Sequence, residues 1–414
     1  MPVKVVWFSR ASLRTAVPVL FFALFMLAGC GLKRNPLPVA LQPVATVPGY
    51  EDIRFFGDTT PKHMEKVMQT WAELSRQPGR STEISFLSLS GGGADGAFGA
   101  GFLCGWTKRG DRPVFGLVTG ISTGALIAPF AFLGPDYDNF IKVFYTTFST
   151  NDLIRQRSYI DAASGDSVYS TEPLREALKK YVNSEFIARI AEEHRKGRRL
   201  LIGTTNLDAM RPVYWDIGAI AQYGTPESDQ LIREVILASA SVPVAFPPVY
   251  FKVMADGKIY DEMHVDGGVS NQVFSYPPSV HLADELEKIG EKRKITLYVI
   301  RNDSLMSEGQ QVDPYLGGIA ARSLAGLIRN QGIGDLYRIY YTAERDRIDF
   351  KLAFIPPDYK EESDEIFSPV YMSKLYSLGF SMALAPDPWH KAPPSCLTSP
   401  AMAGDVPARV LGVQ

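Results

Sequence analysis

The sequence predicts an α/β protein with a mostly parallel central sheet that is covered by helices on both faces. Short apolar runs alternate along the chain with longer segments of helical periodicity, which is the pattern of such a sheet. Of the 414 residues 46% are hydrophobic, which is ample for a core. The chain has 43 basic and 45 acidic residues. It therefore has no positive excess with which to hold nucleic acid.

The first 29 residues are predicted to be a lipoprotein signal peptide. Three basic residues precede an apolar run over residues 16–27, which is shorter than the about 20 residues that span a bilayer. The run leads into Leu27-Ala28-Gly29-Cys30, which resembles the lipobox of bacterial lipoproteins. That resemblance implies cleavage before Cys30 and acylation of its thiol. An ordinary signal peptide with a chance cysteine is the alternative.

Acyl chains on Cys30, rather than charge, are expected to attach the protein to a membrane. Cleavage removes only basic groups from a chain whose net charge is already −2, and a negative protein is not attracted by anionic lipid. Gly31 follows the cysteine, and the same resemblance then implies the outer membrane or periplasm in a Gram-negative host. The predicted location is the cell envelope.

Four segments are predicted along the chain. After the signal peptide, residues 30–50 are expected to form a lipid-attached tether, because they are rich in proline and hold no acid. Residues 51–385 are expected to form one folded domain. Residues 386–414 are again rich in Pro, Ala and Ser, and are predicted to be a disordered tail.

The first half of the domain shows three strong local signals. The run Ile84–Ser90 is a buried strand that ends in glycines, and Phe115–Thr119 is a second strand broken by Gly120. Pro129 is expected to kink the helix after it. The predicted elements of this half are helix 63–76, strand 84–90, helix 96–108, strand 115–119, helix 123–133, and helices 172–182 and 184–196.

The second half is predicted from the same rules. Asp256-Gly257 is a hairpin turn between two apolar runs. A long segment of helical period follows a short apolar strand near the end of the domain. The predicted elements of this half are strands 200–205 and 212–215, helix 229–239, a hairpin over 251–265, strand 295–300, helix 319–345 and strand 350–355.

The first chemical motif is Gly120-Ile121-Ser122-Thr123-Gly124. It matches G-x-S-x-G and lies between a predicted strand and a predicted helix. A serine at such a turn has a strained backbone that tolerates only small neighbours, and its hydroxyl is lifted clear of the sheet. Gly120 and Gly124 are therefore expected to form a nucleophile elbow around Ser122.

The second motif is a glycine loop after the first buried strand, Ser90-Gly91-Gly92-Gly93. Successive glycines can present bare backbone N–H groups to an anion, as an oxyanion hole requires. The alternative is a dinucleotide loop, since the glycines also fit G-x-G-x-x-G. That pattern expects an acid at the end of the next strand, whereas Asp111 precedes the strand, and an exported protein has no supply of NAD.

The third motif is Asp266-Gly267-Gly268, which ends the predicted hairpin. The two glycines would let another segment of backbone approach closely. An aspartate at this position could lie within hydrogen-bond distance of a serine hydroxyl, although spacing alone does not show it.

Together these motifs resemble the patatin-like phospholipase family. Two further segments resemble that family's sequences, Thr204-Thr205-Asn206-Leu207 and Ala238–Pro243 with Phe246-Pro247-Pro248-Val249, and all follow the family's order from about residue 84 to 275. The resemblance implies a three-layer α/β/α fold and hydrolysis of lipid acyl esters without histidine, metal or cofactor. It implies that Ser122 is the nucleophile, Asp266 the base, and Gly91, Gly92 and Gly93 the oxyanion loop. One departure is Asp95, where many members carry Arg or Lys, and it bears on whether the ester is a phospholipid.

Two other functions stay open at this point. A histidine-dependent α/β-hydrolase would place its acid and then its histidine after the serine, and His281 or His390 could fill the last place. A binding lipoprotein could also keep a hydrolase scaffold without activity. The remaining histidines and cysteines have no metal-ligand spacing, and Cys104 is predicted to be a small core residue.

Overall fold

The computed structural model describes residues 34–62, 64–75, 83–159, 161, 165–305, 309, 311–361, 363 and 365–393. Cys30 and the predicted signal peptide lie outside the described residues, as does the end of the chain from residue 394 onward. No helix within the described ranges is long and apolar enough to cross a membrane.

Strands and helices alternate through most of the chain. The described strands are β1 Arg54–Phe56, β2 Glu83–Leu89, β3 Phe115–Gly120, β4 Arg155–Gln156, β5 Tyr169–Ser170, β6 Arg199–Asn206, β7 Arg211–Asp216, β8 Val249–Ala255, β9 Lys258–Asp266, β10 Lys294–Ser304 and β11 Asp349–Ile355. The described helices are α1 Met64–Ser75, α2 Gly96–Arg109, α3 Thr123–Leu133, α4 Asp138–Thr147, α5 Thr150–Leu153, α6 Glu172–Tyr181, α7 Ser184–Arg195, α8 Ile217–Ala221, α9 Pro226–Ser239, α10 Leu282–Lys288, α11 Leu316–Arg345 and α12 Pro369–Ala383.

The central sheet has a parallel half and an antiparallel half. Its order is β1-β7-β6-β3-β2-β10-β11. The five strands from β6 to β11 pair in parallel. Strands β7 and β1 extend the sheet in antiparallel pairing, and the β8–β9 hairpin joins it through β6. The carboxyl ends of the parallel strands share one edge, which is where α/β proteins bind ligands.

Both faces of the sheet are buried. Successive apolar side chains along the central strands point to opposite faces, so that both faces are apolar. Leu87, Val118 and Leu200 point into one cluster, which also contains residues of α2, α3, α9 and α12. Phe86 and Leu117 point into the other cluster, which is completed by residues of α1, α10 and the second half of α11. The predicted α/β class with a mostly parallel sheet between helices is confirmed.

The structure contains elements that the sequence patterns did not predict, among them the helices α4 and α12. Helix α12 crosses α2 so closely that a Cβ on Gly101 would stand 2.0 Å from the carbonyl oxygen of Tyr376. A Cβ on Gly379 would likewise stand 2.2 Å from the carbonyl oxygen of Phe98. Glycines at this crossing let the two backbones meet, so α12 is held by tertiary contact more than by its own periodicity.

The predicted tether differs from the structure from Arg34 onward. Arg34 forms ion pairs with Asp208 at 2.6 Å and with Asp261 at 2.9 Å. A 3₁₀ helix follows at Val39–Val44, and the side chain of Leu37 is buried. Residues 34–50 therefore pack against the body, because their apolar side chains contact apolar side chains of the β8–β9 hairpin.

The predicted tail also begins later than expected. The ring of Trp389 packs against Phe102, Trp106 and Tyr298, with centroid distances of 4.8–4.9 Å. His390 exchanges two backbone hydrogen bonds with Leu352. Residues 386–393 are thus part of the folded body, and a disordered tail is a prediction only for the residues from 394 onward, which are not described.

Candidate active site

Ser122 occupies the turn between β3 and α3. The strand ends at Gly120 and the helix begins at Thr123. The backbone of Ser122 has φ 54° and ψ −123°, a conformation that costs a residue with a side chain about 1–3 kcal/mol. A strained serine between a strand and a helix N-terminus is the geometry of a nucleophile elbow.

Gly120 and Gly124 lie where no side chain fits. A Cβ on Gly120 would stand 2.4 Å from the carbonyl oxygen of Gly124, and a Cβ on Gly124 would stand 2.4 Å from the carbonyl oxygen of Leu89. Backbone atoms cannot turn aside as the end of a flexible side chain can. The two glycines therefore let α3 sit directly on the ends of β2 and β3.

Ser239, at the end of α9, holds the backbone of Ser122. The N–H of Ser122 donates a hydrogen bond to Ser239 Oγ at 3.0 Å, and the Ser239 hydroxyl donates to the carbonyl oxygen of Gly203 at 2.6 Å. The N–H of Ser122 is thus engaged within the protein. Sequence analysis placed Ser239 in a family-like segment, but did not predict this contact.

Strand β6 brings Asp266 to the same place. The first half of β6 pairs with β3, with Gly120 opposite Ile202, and the second half pairs with β9, with Asp266 opposite Thr204. Strands β3 and β9 therefore end facing each other on one edge of β6. Because a strand rises about 3.3 Å per residue, the segments that carry Ser122 and Asp266 meet at this point.

The carboxyl of Asp266 is buried and only partly satisfied. Its Oδ1 accepts the N–H of Gly268 at 2.7 Å, whereas Oδ2 has no regular hydrogen bond to any described residue. Burial raises the pKa of Asp266 to about 7, and the Ser122 hydroxyl and the Gly268 N–H oppose this rise. The carboxyl is therefore near enough to Ser122 to interact with its hydroxyl, and it keeps one oxygen that could receive a proton.

Glycines 267 and 268 serve the close packing of this loop. A Cβ on Gly267 would stand 2.5 Å from the carbonyl oxygen of Gly203, and a Cβ on Gly268 would stand 2.9 Å from Oδ1 of Asp266. The loop thus packs against β6, and the N–H of Gly268 reaches the carboxylate of Asp266.

The backbone N–H groups of the three glycines after β2 differ in their hydrogen bonding. The N–H of Gly91 donates to the carbonyl oxygen of Gln272 at 2.9 Å. The amides of Gly92 and Gly93 have no partner within the described part of the chain, and both residues have positive φ, 156° and 58°. Gly92 and Gly93 therefore retain the free donors that an oxyanion needs, and Gly91 does not.

Asn302 supports the glycine loop from β10. Its N–H and Nδ2 donate to Ser90 at 2.8 and 2.9 Å, and its Oδ1 accepts the N–H of Gly99 at 3.0 Å. Its carbonyl oxygen would lie 2.0 Å from a Cβ on Gly92, which excludes any other residue there. Sequence analysis missed Asn302. The available signal was the polar run Arg301-Asn302-Asp303 at the carboxyl end of an apolar strand.

Asp95 begins α2 and accepts a hydrogen bond from the Tyr371 hydroxyl at 2.6 Å. Burial raises the pKa of Asp95 to about 6, while Tyr371 and the charges of Arg301 and Arg329 oppose the rise. Positive charge is therefore present near this end of the loop, although it comes from β10 and α11 and not from residue 95.

No described histidine forms a hydrogen bond with Ser122 or Asp266. His264 is buried, with Nδ1 at 2.9 Å from Thr204 Oγ1 and Nε2 at 3.1 Å from Glu262 Oε2. His281 is exposed beside Asp284, and His390 pairs with β11. These contacts favour a site built on Ser122 and Asp266 without an imidazole between them.

Comparison with known proteins matches residues 87–274 to the model of the patatin-like phospholipase family. The matched segment includes the glycine loop, Ser122 and Asp266. Residues 87–274 are thus similar to a patatin-like phospholipase domain. Among solved structures it is similar to VipD from Legionella pneumophila, with 14% identity over 73% of this chain and 67% of that chain and a TM-score of 0.37. No curated protein matches the chain.

The patatin-like domain supports hydrolysis of lipid acyl esters as the general activity. Its match ends at residue 274, before β10, β11 and the long helix α11. Asn302 therefore supports the loop from a part of the chain that the family model does not match.

Proposed function

We propose that the protein is a lipid acyl hydrolase in which Ser122 is the nucleophile and Asp266 is the base. The observation that carries the proposal is the meeting of these two side chains. Ser122 lies at a strained strand-to-helix turn, and its hydroxyl interacts with a buried carboxyl whose pKa is about 7. A base with a pKa near the working pH is the most effective proton acceptor.

In the proposed reaction, Ser122 Oγ attacks the acyl carbonyl carbon as its proton passes to Oδ2 of Asp266. The N–H groups of Gly92 and Gly93 stabilise the oxyanion, and one such donor is worth about 3–4 kcal/mol in other serine hydrolases. The leaving alcohol then takes the proton from Asp266. Water attacks the acyl-serine, gives a proton to Asp266 and releases the fatty acid, and that proton returns to Ser122.

The test of the nucleophile is Ser122→Ala. We expect a fluorophosphonate probe to label the wild-type protein once, and the variant to lose both the label and hydrolysis of p-nitrophenyl esters by a factor on the order of 10⁴ or more. Ser377→Ala is the control, because it removes the hydroxyl of an exposed serine on α12 that hydrogen-bonds within its own helix. Labelling that persists in Ser122→Ala would show another nucleophile. A panel of phospholipids, lysophospholipids and triglycerides then identifies the ester.

Attachment to the membrane is proposed to occur through acylated Cys30. The lipobox-like segment supports this proposal, and the packed body begins only four residues later, at Arg34. At no more than about 3.6 Å per residue, that spacing would keep the body within about 15 Å of the lipid, and the outer membrane is the proposed location in a Gram-negative host.

Cys30→Ser tests the anchor. We expect the variant to remain unprocessed or to lose metabolic labelling with palmitate, while wild-type protein is labelled and fractionates with membranes. Cys396→Ser is the matched control and should be labelled normally. A Cys30→Ser chain that matures and takes up palmitate as wild type does would disprove the anchor.

A further inference from the structure

The first half of α11 carries an apolar surface that nothing in the described structure covers. Leu316, Ile319, Leu324 and Leu327 are 86%, 52%, 55% and 68% exposed. At about 100° per residue these four side chains fall within an arc of about 140°. We call these four residues the apolar arc.

Most of the apolar arc lies away from the side of the helix that faces the core. In the second half of α11, Leu336, Ile339 and Ala343 are buried against the sheet. The same spacing places these residues about 140–200° around the helix from Leu316. The arc is therefore not a continuation of the core-facing side, and large exposed apolar surfaces commonly mark sites of interaction.

The charged residues in the first half of α11 have one sign, although Asp303 of β10 lies 4.0 Å from Arg329. No acidic residue occurs between Asp313 and Asp335, whereas Arg322 and Arg329 lie within that stretch. Tyr315 is exposed at the start of the helix. The same helical spacing places Arg322 and Arg329 about 60–80° beyond Ile319, outside the arc. A helix with one apolar side, arginine on its polar side and an aromatic residue at its end is typical of a lipid–water interface, where arginine meets anionic phosphate.

The arc leads directly to the candidate active site. The next turn of α11 contacts the Asp266 loop, because Gln331 Nε2 donates to the carbonyl oxygen of Val269 at 3.4 Å. Asp335 accepts the N–H of Gln272 at 2.6 Å, the residue whose carbonyl oxygen binds Gly91. A surface that binds lipid at the arc would thus lie near the loop that follows Asp266.

We propose that the apolar arc of α11 binds the surface of a phospholipid membrane and thereby brings the candidate active site close to that surface. The proposal rests on the proposed function only for the identity of the substrate, since binding itself needs no catalysis. A second copy of the chain, or residues outside the described ranges, would be other occupants of the arc.

The first experiment reads the environment of the arc itself in the full chain. L324W is compared with V114W, whose position is 76% exposed and precedes β3 at the opposite edge of the sheet. Each is measured against wild type with vesicles of phosphatidylcholine and phosphatidylglycerol that carry brominated acyl chains. Each variant adds tryptophan fluorescence to that of the wild type. We expect the fluorescence added by L324W to shift to the blue, and to be quenched at least threefold more strongly than the fluorescence added by V114W.

Each other outcome of this experiment overturns the proposal. Equal or absent quenching in L324W would show that the arc does not enter lipid. A blue shift already present without vesicles would show that the arc is covered by another part of the chain or by a second copy.

The second experiment separates binding from chemistry. L324E/L327E is expected to hydrolyse soluble p-nitrophenyl butyrate as wild type does, but to hydrolyse vesicle phospholipid about tenfold more slowly or worse. V114E is the control and should leave both rates unchanged. Unaltered vesicle hydrolysis in L324E/L327E would refute the inference. A wild-type chain that hydrolyses neither substrate would instead refute the proposed function, and the quenching in L324W would still decide the inference.

Discussion

Burial makes Asp266 a stronger base, but it destabilises the folded protein at neutral pH. Because its pKa is raised to about 7 in the folded protein, against about 3.9 in an unfolded chain, the native state binds more protons than the unfolded state between these values. Stability therefore falls as pH rises through that window. The same rise makes the carboxylate a stronger base for Ser122.

The pH dependence of Asp266→Asn follows from this argument. The variant should lose activity almost as completely as Ser122→Ala, because it cannot take the proton. It should also unfold at a higher temperature than wild type, with a larger difference at pH 8 than at pH 5, since each unit of pKa shift is worth about 1.4 kcal/mol. Activity of the wild type should rise through pH about 7.

Thermal unfolding at the two pH values and pH–rate profiles measure these effects. Asp284→Asn, at an exposed carboxyl, is the control and should behave as wild type does at both. If His281→Ala or His390→Ala cost as much activity as Asp266→Asn in a folded protein, a histidine-dependent triad would replace the proposed dyad.

At the scale of the elements, the turn between β3 and α3 depends on two glycines, because a side chain at either position would meet backbone atoms. Helix α3 has no strongly polar face, and nearly all its residues are buried. It can rest on the sheet because Gly120 and Gly124 bring backbone against backbone. The strain at Ser122 then persists because its N–H is held by Ser239, so that the surrounding contacts outweigh its local cost.

Gly124→Ala should therefore destabilise the protein by about 3 kcal/mol or more and abolish activity, because a new Cβ would meet the backbone of Leu89. Gly334→Ala is the matched control. Its position lies inside α11 with nothing within 4 Å of a new Cβ, so alanine should stabilise the helix by about 0.5–1 kcal/mol. Urea unfolding of both variants gives the comparison. Equal stability of the two would contradict the role given to the turn.

At the scale of the whole molecule, residues 34–50 are attached to the folded body, so that the body begins only four residues after Cys30. Arg34 bridges Asp208 and Asp261, and Asn35 donates its N–H to Asp261 at 2.8 Å. These contacts attach the segment to the β8–β9 hairpin, whose second strand ends at Asp266.

Arg34→Ala should release this segment without unfolding the domain. We expect amide hydrogen exchange over residues 34–50 to accelerate by about tenfold or more, because a partly buried ion pair loses its partner, while the melting temperature changes little. Lys252→Ala removes a more distant and exposed partner of the same Asp261, at 3.9 Å, and should have no such effect. Unchanged exchange in Arg34→Ala would show that other contacts hold the segment.

The sequence by itself determined the features that depend on local pattern. Short apolar runs predicted the central strands, and Gly120 and Gly124 predicted the turn at Ser122, because a glycine requirement is visible in the motif. The resemblance supplied the roles of Ser122 and Asp266, which still await experiment.

Only the tertiary structure decided what depends on residues far apart in the chain. The split pairing of β6 brings Asp266 to Ser122, and burial from many elements raises the pKa of Asp266. The carbonyl oxygen of Gln272 engages Gly91 and leaves Gly92 and Gly93 as the free donors. Trp389 joins the core through three rings from two other elements, α2 and β10. No local pattern carries these facts, because each arises from a partner that the fold brings close.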